Sequence, residues 1–120
     1  DEKSADPFSP KALRASMGAV FRVPVYAFED LAGKLAGLQA GGWQLIAGDL
    51  GGDDFFGHPP FGKKTCLLVG NEGAGLPADL LALADLRLKL PMPGGAESLN
   101  AAVAASLMIY DVLRQDLTKT

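Results

Sequence analysis

The chain has 120 residues, of which 48% are hydrophobic and 21% charged, enough apolar material for one packed domain and too little length for two independent ones. Its 11 basic and 14 acidic residues leave a net charge of −3, which argues against holding nucleic acid by bulk electrostatics and restricts any polyanion to a local basic patch. One cysteine, Cys66, excludes an intrachain disulfide, and the opening Asp1-Glu2-Lys3 lacks the basic-then-apolar form of a signal peptide, so a cytoplasmic setting is expected.

Ser9 before Pro10 is a helix-start signal, because the hydroxyl caps free amides and proline has none to waste at the first helical position. A helix is expected from Pro10 to about Val20. Val23-Pro-Val-Tyr-Ala-Phe28 is β-branched and aromatic, and Pro24 makes it an edge or entry strand. Glu29 to Ala40 places Leu31, Leu35 and Leu38 at helical spacing, with Gly41-Gly42 as a stop. Trp43 to Ala47 reads as a strand, and Gly48 to Lys64 as a long loop with no clear period. The 15 Gly and 8 Pro exceed the roughly 14 that average usage gives in this length, so loops matter here more than usual. Thr65-Cys-Leu-Leu-Val69 is the continuous apolar run of a parallel strand buried on both faces. The loop Gly70 to Pro77 follows, then a short helix through about Ala84, a strand Leu86 to Leu90, and a second Pro- and Gly-rich loop over Pro91 to Glu97. The final helix runs from Ser98 to about Leu117 and is apolar nearly all round until Tyr110, as befits a helix that is buried or covered by a partner. No apolar stretch reaches the roughly 18 residues of a bilayer span. Strands alternating with helices predict an α/β domain with a mostly parallel sheet flanked by helices.

The loop from Gly70 to Gly75 leaves the carboxyl end of a buried strand, where open α/β sheets place their ligands. Its glycines at 70, 73 and 75 follow G-x-x-G-x-G, not the dinucleotide fingerprint, and a tight strand-to-helix turn is the plain structural alternative. Gly57-His-Pro-Pro-Phe-Gly-Lys-Lys64 has P-loop spacing but ends in Lys64 where Ser or Thr is needed, precedes a strand, and carries two prolines without amides. His58 is the sole histidine and no cysteine pair exists, so no metal site is expected. Cys66, inside the apolar strand, reads as a small buried hydrophobe. Lys11 with Arg14, and Lys63-Lys64, are the local basic features, either solvated charge or partners for RNA phosphate. Glu97, Ser98 and Asn100 cluster where the last helix begins, and the two Gly-rich loops could converge on one pocket.

The segments Leu68-Val-Gly-Asn-Glu-Gly-Ala-Gly-Leu76 and Leu90-Pro-Met-Pro-Gly-Gly-Ala-Glu-Ser-Leu-Asn-Ala-Ala-Val-Ala-Ala105 resemble, in order and separation, the second and third motifs of the SpoU (TrmH-type) RNA 2′-O-ribose methyltransferases. Ser9 to Val25 looks like the segment preceding the middle of the same domain, and the resemblance spans residues 7 to about 115. It implies a SPOUT-type α/β fold ending in a trefoil knot, S-adenosylmethionine held by the knot loops, and a homodimer paired through the knot region and final helix. By motif position the cofactor contacts fall on Gly70, Glu72, Gly73, Leu90, Met92, Ser98 and Leu99.

The resemblance further implies methyl transfer to a ribose 2′-hydroxyl of rRNA or tRNA. That reaction needs alignment of the hydroxyl behind the sulfonium methyl more than it needs a metal. The family gives the proton-accepting task to an arginine of its first motif, helped by residues corresponding to Glu72, Ser98 and Asn100, with Asn71 supporting the loop; Lys11 and Arg14 are assigned to RNA phosphate. The first motif ordinarily precedes the Pro10 helix and is not found in this sequence. The expectation is therefore an RNA 2′-O-ribose methyltransferase of which residues 1–120 form a partial domain, its amino-terminal part missing, that carries the cofactor-binding knot but not the first-motif arginine on which activity depends. A non-catalytic knotted dimer or RNA-binding module is the alternative.

Overall fold

A computed structural model describes residues 4–70, 74–90 and 101–118. The chain divides into two compact units, residues 1–34 and 35–120.

In the first unit, helix α1 spans Pro10–Ala15. The Ser9 hydroxyl accepts a hydrogen bond from the Ala12 amide at 3.2 Å, the cap its sequence predicts. The helix ends five residues earlier than the apolar spacing suggests. Met17 and Gly18 both take positive φ, 51° and 85°, a left-handed pair that no α-helix can pass through. Glycine carries that conformation freely, whereas Met17 has a Cβ and holds it at a cost of roughly 1 kcal/mol or more. The turn reverses the chain into a short 3-10 helix over Ala19–Phe21, which brings the Phe21 ring to 6.4 Å from that of Phe8. Val23 to Phe28 forms no strand, contrary to its residue types. β-branched composition describes a side-chain preference, and no neighbouring strand supplies the hydrogen bonds.

Helix α2 spans Leu31–Ala40 and begins two residues later than expected. It stops at the Gly41-Gly42 pair as predicted: the Trp43 amide reaches back to the Leu38 carbonyl at 3.0 Å and Gly42 to Gln39 at 3.1 Å.

Three parallel strands form the sheet of the second unit: β1 (Gln44–Asp54), β2 (Thr65–Leu68) and β3 (Leu86–Lys89), in the order β2-β1-β3. β1 is central, and Leu45, Ile46 and Ala47 are fully buried, consistent with a strand covered on both faces. It is longer than its sequence suggests. After Gly48 pairs with Leu88 the register breaks, and Asp53 and Asp54 rejoin Leu88 and Lys89. The extra residues of this bulge hid the period, so the stretch read as loop. Asp54 then caps a 3-10 turn over Phe55–Gly57 by accepting from the Phe56 amide at 2.9 Å.

Helix α3 (Ala78–Leu83) and helix α4 (Ala101–Leu117) complete the order. Met108 of α4 enters the core with Ile46, Phe55, Phe61 and Leu88, and Leu67, Leu86, Leu90 and Val112 pack around them. The α/β reading with a parallel sheet holds. Among the described residues no helix is long and apolar enough to cross a membrane.

Candidate functional site

The amino-terminal edge of the sheet is closed by side chains. Asp85, just before β3, accepts from the Leu45 amide at 2.7 Å, while its own amide donates to the Leu45 carbonyl at 2.8 Å. Gln39 of α2 donates to the Asp85 carboxylate at 3.0 Å and to the Leu83 carbonyl at 2.8 Å. These bonds fix the start of β3 against the start of β1.

Both candidate loops leave from the carboxyl edge of the sheet. β2 ends at Leu68 and leads through Val69 to Gly70; β3 ends at Lys89 and leads to Leu90. Parallel strands share one carboxyl edge, and ligands of open α/β sheets sit there. Gly70 is half-buried against the backbone of Gly75 and Leu76. A Cβ at position 70 would lie 2.7 Å from the Gly75 oxygen and closer still to the Gly75 carbonyl carbon and the Leu76 amide nitrogen. The site therefore has glycine here by exclusion, and the backbone beyond β2 doubles back on itself without side chains between. Leu90, also half-buried, lies against the core.

Of the predicted site residues, Gly70 and Leu90 are thus placed at one end of the sheet. Asn71, Glu72, Gly73, Met92, Ser98, Leu99 and Asn100 lie outside the described residues. Lys11 and Arg14 are exposed on α1, and among the described residues neither has an ion-pair partner. No group of three or more potential metal ligands occurs among the described residues. Cys66 is half-buried, and burial pushes its thiol above the usual range, which makes it a poor nucleophile.

Sequence reasoning missed the network that anchors α4. His58 Nε2 lies 2.6 Å from Asp111 Oδ2, and the imidazole stacks on Phe61 with centroids 4.1 Å apart and planes 3° from parallel. His58 Nδ1 faces the Pro59 carbonyl at 2.5 Å; a neutral ring could donate through only one of its nitrogens. Burial pushes the Asp111 carboxyl up, but hydrogen bonds from His58 and Arg114, together with their charge, outweigh it and hold the group below its usual range. Gln115 completes the clamp, accepting from the Phe61 amide at 2.7 Å and donating to the Phe61 carbonyl at 2.9 Å. Residues more than fifty positions apart leave no local pattern, so only the tertiary fold could reveal this pairing.

Comparison with known proteins agrees with the geometry. The profile of the SpoU rRNA Methylase family matches residues 1–110. The chain is 39% identical over 107 residues to the 23S rRNA (guanosine(2553)-2′-O)-methyltransferase RlmP of Bacillus subtilis, covering 89% of this chain and 43% of that protein. In three dimensions it matches the SpoU methyltransferase AviRb of Streptomyces viridochromogenes in complex with its cofactor AdoMet, with a TM-score of 0.81, 35% identity, and coverage of 97% of this chain and 48% of that one. An AdoMet-bound rRNA methyltransferase from Sinorhizobium meliloti also superposes at 0.81 with 35% identity, over 93% of this chain and 43% of that one. The chain spans less than half the length of each of these relatives.

Proposed function

The chain belongs to the SpoU rRNA methylase family, and on that premise we propose that it carries the S-adenosylmethionine-binding part of an RNA ribose 2′-O-methyltransferase acting on rRNA or tRNA. The observation that carries this reading is the departure of both family-matched loops from one carboxyl edge of a parallel sheet, beginning at Gly70 and Leu90.

The described part of the cradle fits such a cofactor. Gly70 presents bare backbone where no side chain could be accommodated, and Leu90 offers apolar surface at the end of β3. When bound, S-adenosylmethionine supplies the methyl group on a cationic sulfonium centre. The backbone of Gly70, Glu72 and Gly73 would hold it from one loop, and Leu90, Met92, Ser98 and Leu99 from the other. Glu72 and Asn100 would orient the ribose hydroxyl and the arginine that takes its proton, with Ser98 assisting and Asn71 supporting the loop. Holding the hydroxyl in line is where most of the rate comes from, since alignment replaces a costly bimolecular encounter.

The chain after β3 ties the trefoil knot in this reading, and two copies pair through the knot region and α4 in the cytoplasm. The outward apolar side chains of α4 support the pairing: Leu107, Ile109, Tyr110 and Leu113 remain exposed. Calorimetry with S-adenosylhomocysteine tests the cofactor site. A saturable heat for the wild-type chain, lost in Gly73→Trp, is expected; a wild-type chain that binds nothing overturns the reading.

A further inference from the structure

Charge is unevenly spread along this acidic chain. Between Pro7 and Phe28 the sequence carries Lys11, Arg14 and Arg22 and neither Asp nor Glu, whereas the whole chain is net −3. All three cations are exposed, and among the described residues none has an ion-pair partner. The same short stretch keeps three aromatic rings in solvent: Phe8 is 50% exposed, and Phe21 and Tyr26 are each 74% exposed.

The fold of the first unit pairs some of these features. Lys11 and Arg14 are three apart on α1 and share a face. The left-handed pair Met17-Gly18 folds the chain back so that the Phe21 ring meets the Phe8 ring at the helix entrance, 38° from coplanar. Arg22 follows immediately. Exposed rings and exposed cations within one short segment are the chemistry that binds unstacked bases and their phosphates together.

We infer that this surface, built on Phe8, Phe21 and Tyr26 with Lys11, Arg14 and Arg22, binds single-stranded RNA, the rings stacking on unpaired bases and the cations tracking the backbone. The inference rests on the RNA-methyltransferase reading and extends it from phosphate contacts at Lys11 and Arg14 to base stacking on an unpaired strand. A duplex keeps its base faces inside the stack and could use only the cations. A second copy meeting the same patch about a twofold axis would set cation against cation, which disfavours self-association there.

Fluorescence anisotropy of the whole chain with a labelled single-stranded RNA of about 12 nucleotides, repeated over a series of salt concentrations and against a duplex of equal length, tests the proposal. Phe21→Ala is expected to weaken binding about tenfold at every salt concentration with the salt slope unchanged. Arg14→Gln and Arg22→Gln should each lower the slope of log K against log salt by about 0.7. The side chains are exposed, so folding is preserved, and circular dichroism verifies it. The proposal is overturned if the wild-type chain fails to bind the strand or binds the duplex equally well. It is equally overturned if the variant combining Phe21→Ala, Arg14→Gln and Arg22→Gln binds RNA like wild type, including the case in which only its sedimentation changes, which would mark a self-association surface. S-adenosylhomocysteine calorimetry on the same samples separates the two readings. A chain that binds RNA through these residues but not the cofactor retains this surface and loses the methyltransferase assignment.

Discussion

Gly70→Ala concentrates the steric reasoning in one methyl group. The added carbon would meet the Gly75 oxygen at 2.7 Å and the Gly75 carbonyl carbon and Leu76 nitrogen more closely still, whereas relaxed contacts between such atoms begin at about 3.5 Å. All three are backbone atoms, so no rotamer change relieves the overlap, and the end of β2 must move about 1 Å away from the turn. Overpacking of this kind costs about 1–3 kcal/mol, and a backbone-on-backbone collision belongs at the upper end. Gly37→Ala is the matched control: it lies inside α2, and a Cβ there meets nothing within 4 Å. The helical propensity of alanine should make that variant more stable by about 0.5–1 kcal/mol. Identical chemistry therefore gives opposite signs, separated by about 4 kcal/mol. Urea unfolding with a common m value reads the difference, and S-adenosylhomocysteine calorimetry should show binding kept in Gly37→Ala and lost in Gly70→Ala. Equal midpoints for Gly70→Ala and wild type would refute the close approach of the two backbone segments.

Gln115→Ala removes both bonds to the Phe61 backbone and should cost about 1–3 kcal/mol, with faster hydrogen exchange at the Phe61 amide as its local signature. Asp111→Asn should change the acid limb of stability. Because the folded carboxyl sits below its usual value of 3.8, its contribution is present above that value and lost as pH falls through the lowered one, so unfolding curves between about pH 5 and pH 2 should flatten in the variant. Met108→Ala empties a position that is 1% exposed among Ile46, Phe55, Phe61 and Leu88, and urea titration should show a loss of about 2–5 kcal/mol.

Where local chemistry determines structure, the sequence was legible. The apolar run at Thr65 marked a strand, and the alternation from Leu86 marked another; both take their place in the parallel sheet, although β2 lies at its edge and only its Leu68 is buried. Ser9 capped its helix as read, and Gly41-Gly42 ended α2. The errors share a cause. The predicted helix through Val20 fails at Met17 because its left-handed backbone is dictated by the turn and not by methionine itself. The strand predicted at Val23 has the composition, but among the described residues no strand pairs with it. β1 continues to Asp54 only because β3 is there to receive it beyond the bulge. At the site, the origin of both loops at one sheet edge followed from counting strands, whereas the His58–Asp111 contact joins positions 53 apart and left no trace in spacing.

The central strand is also the first of the three to be made. During synthesis β1 leaves the ribosome before β2 and well before β3, at about 5–20 residues per second. For those seconds both of its edges are unpaired while it carries the fully apolar Leu45, Ile46 and Ala47. Such a strand invites pairing with a neighbouring nascent chain. Asp49, Asp53 and Asp54, with the glycines between them, then act as gatekeepers. Their charge disfavours any long intermolecular ladder until β2 and β3 arrive. The acidic, glycine-rich composition that obscured the second half of the strand in the sequence is thus also what makes it a poor template for a second nascent chain.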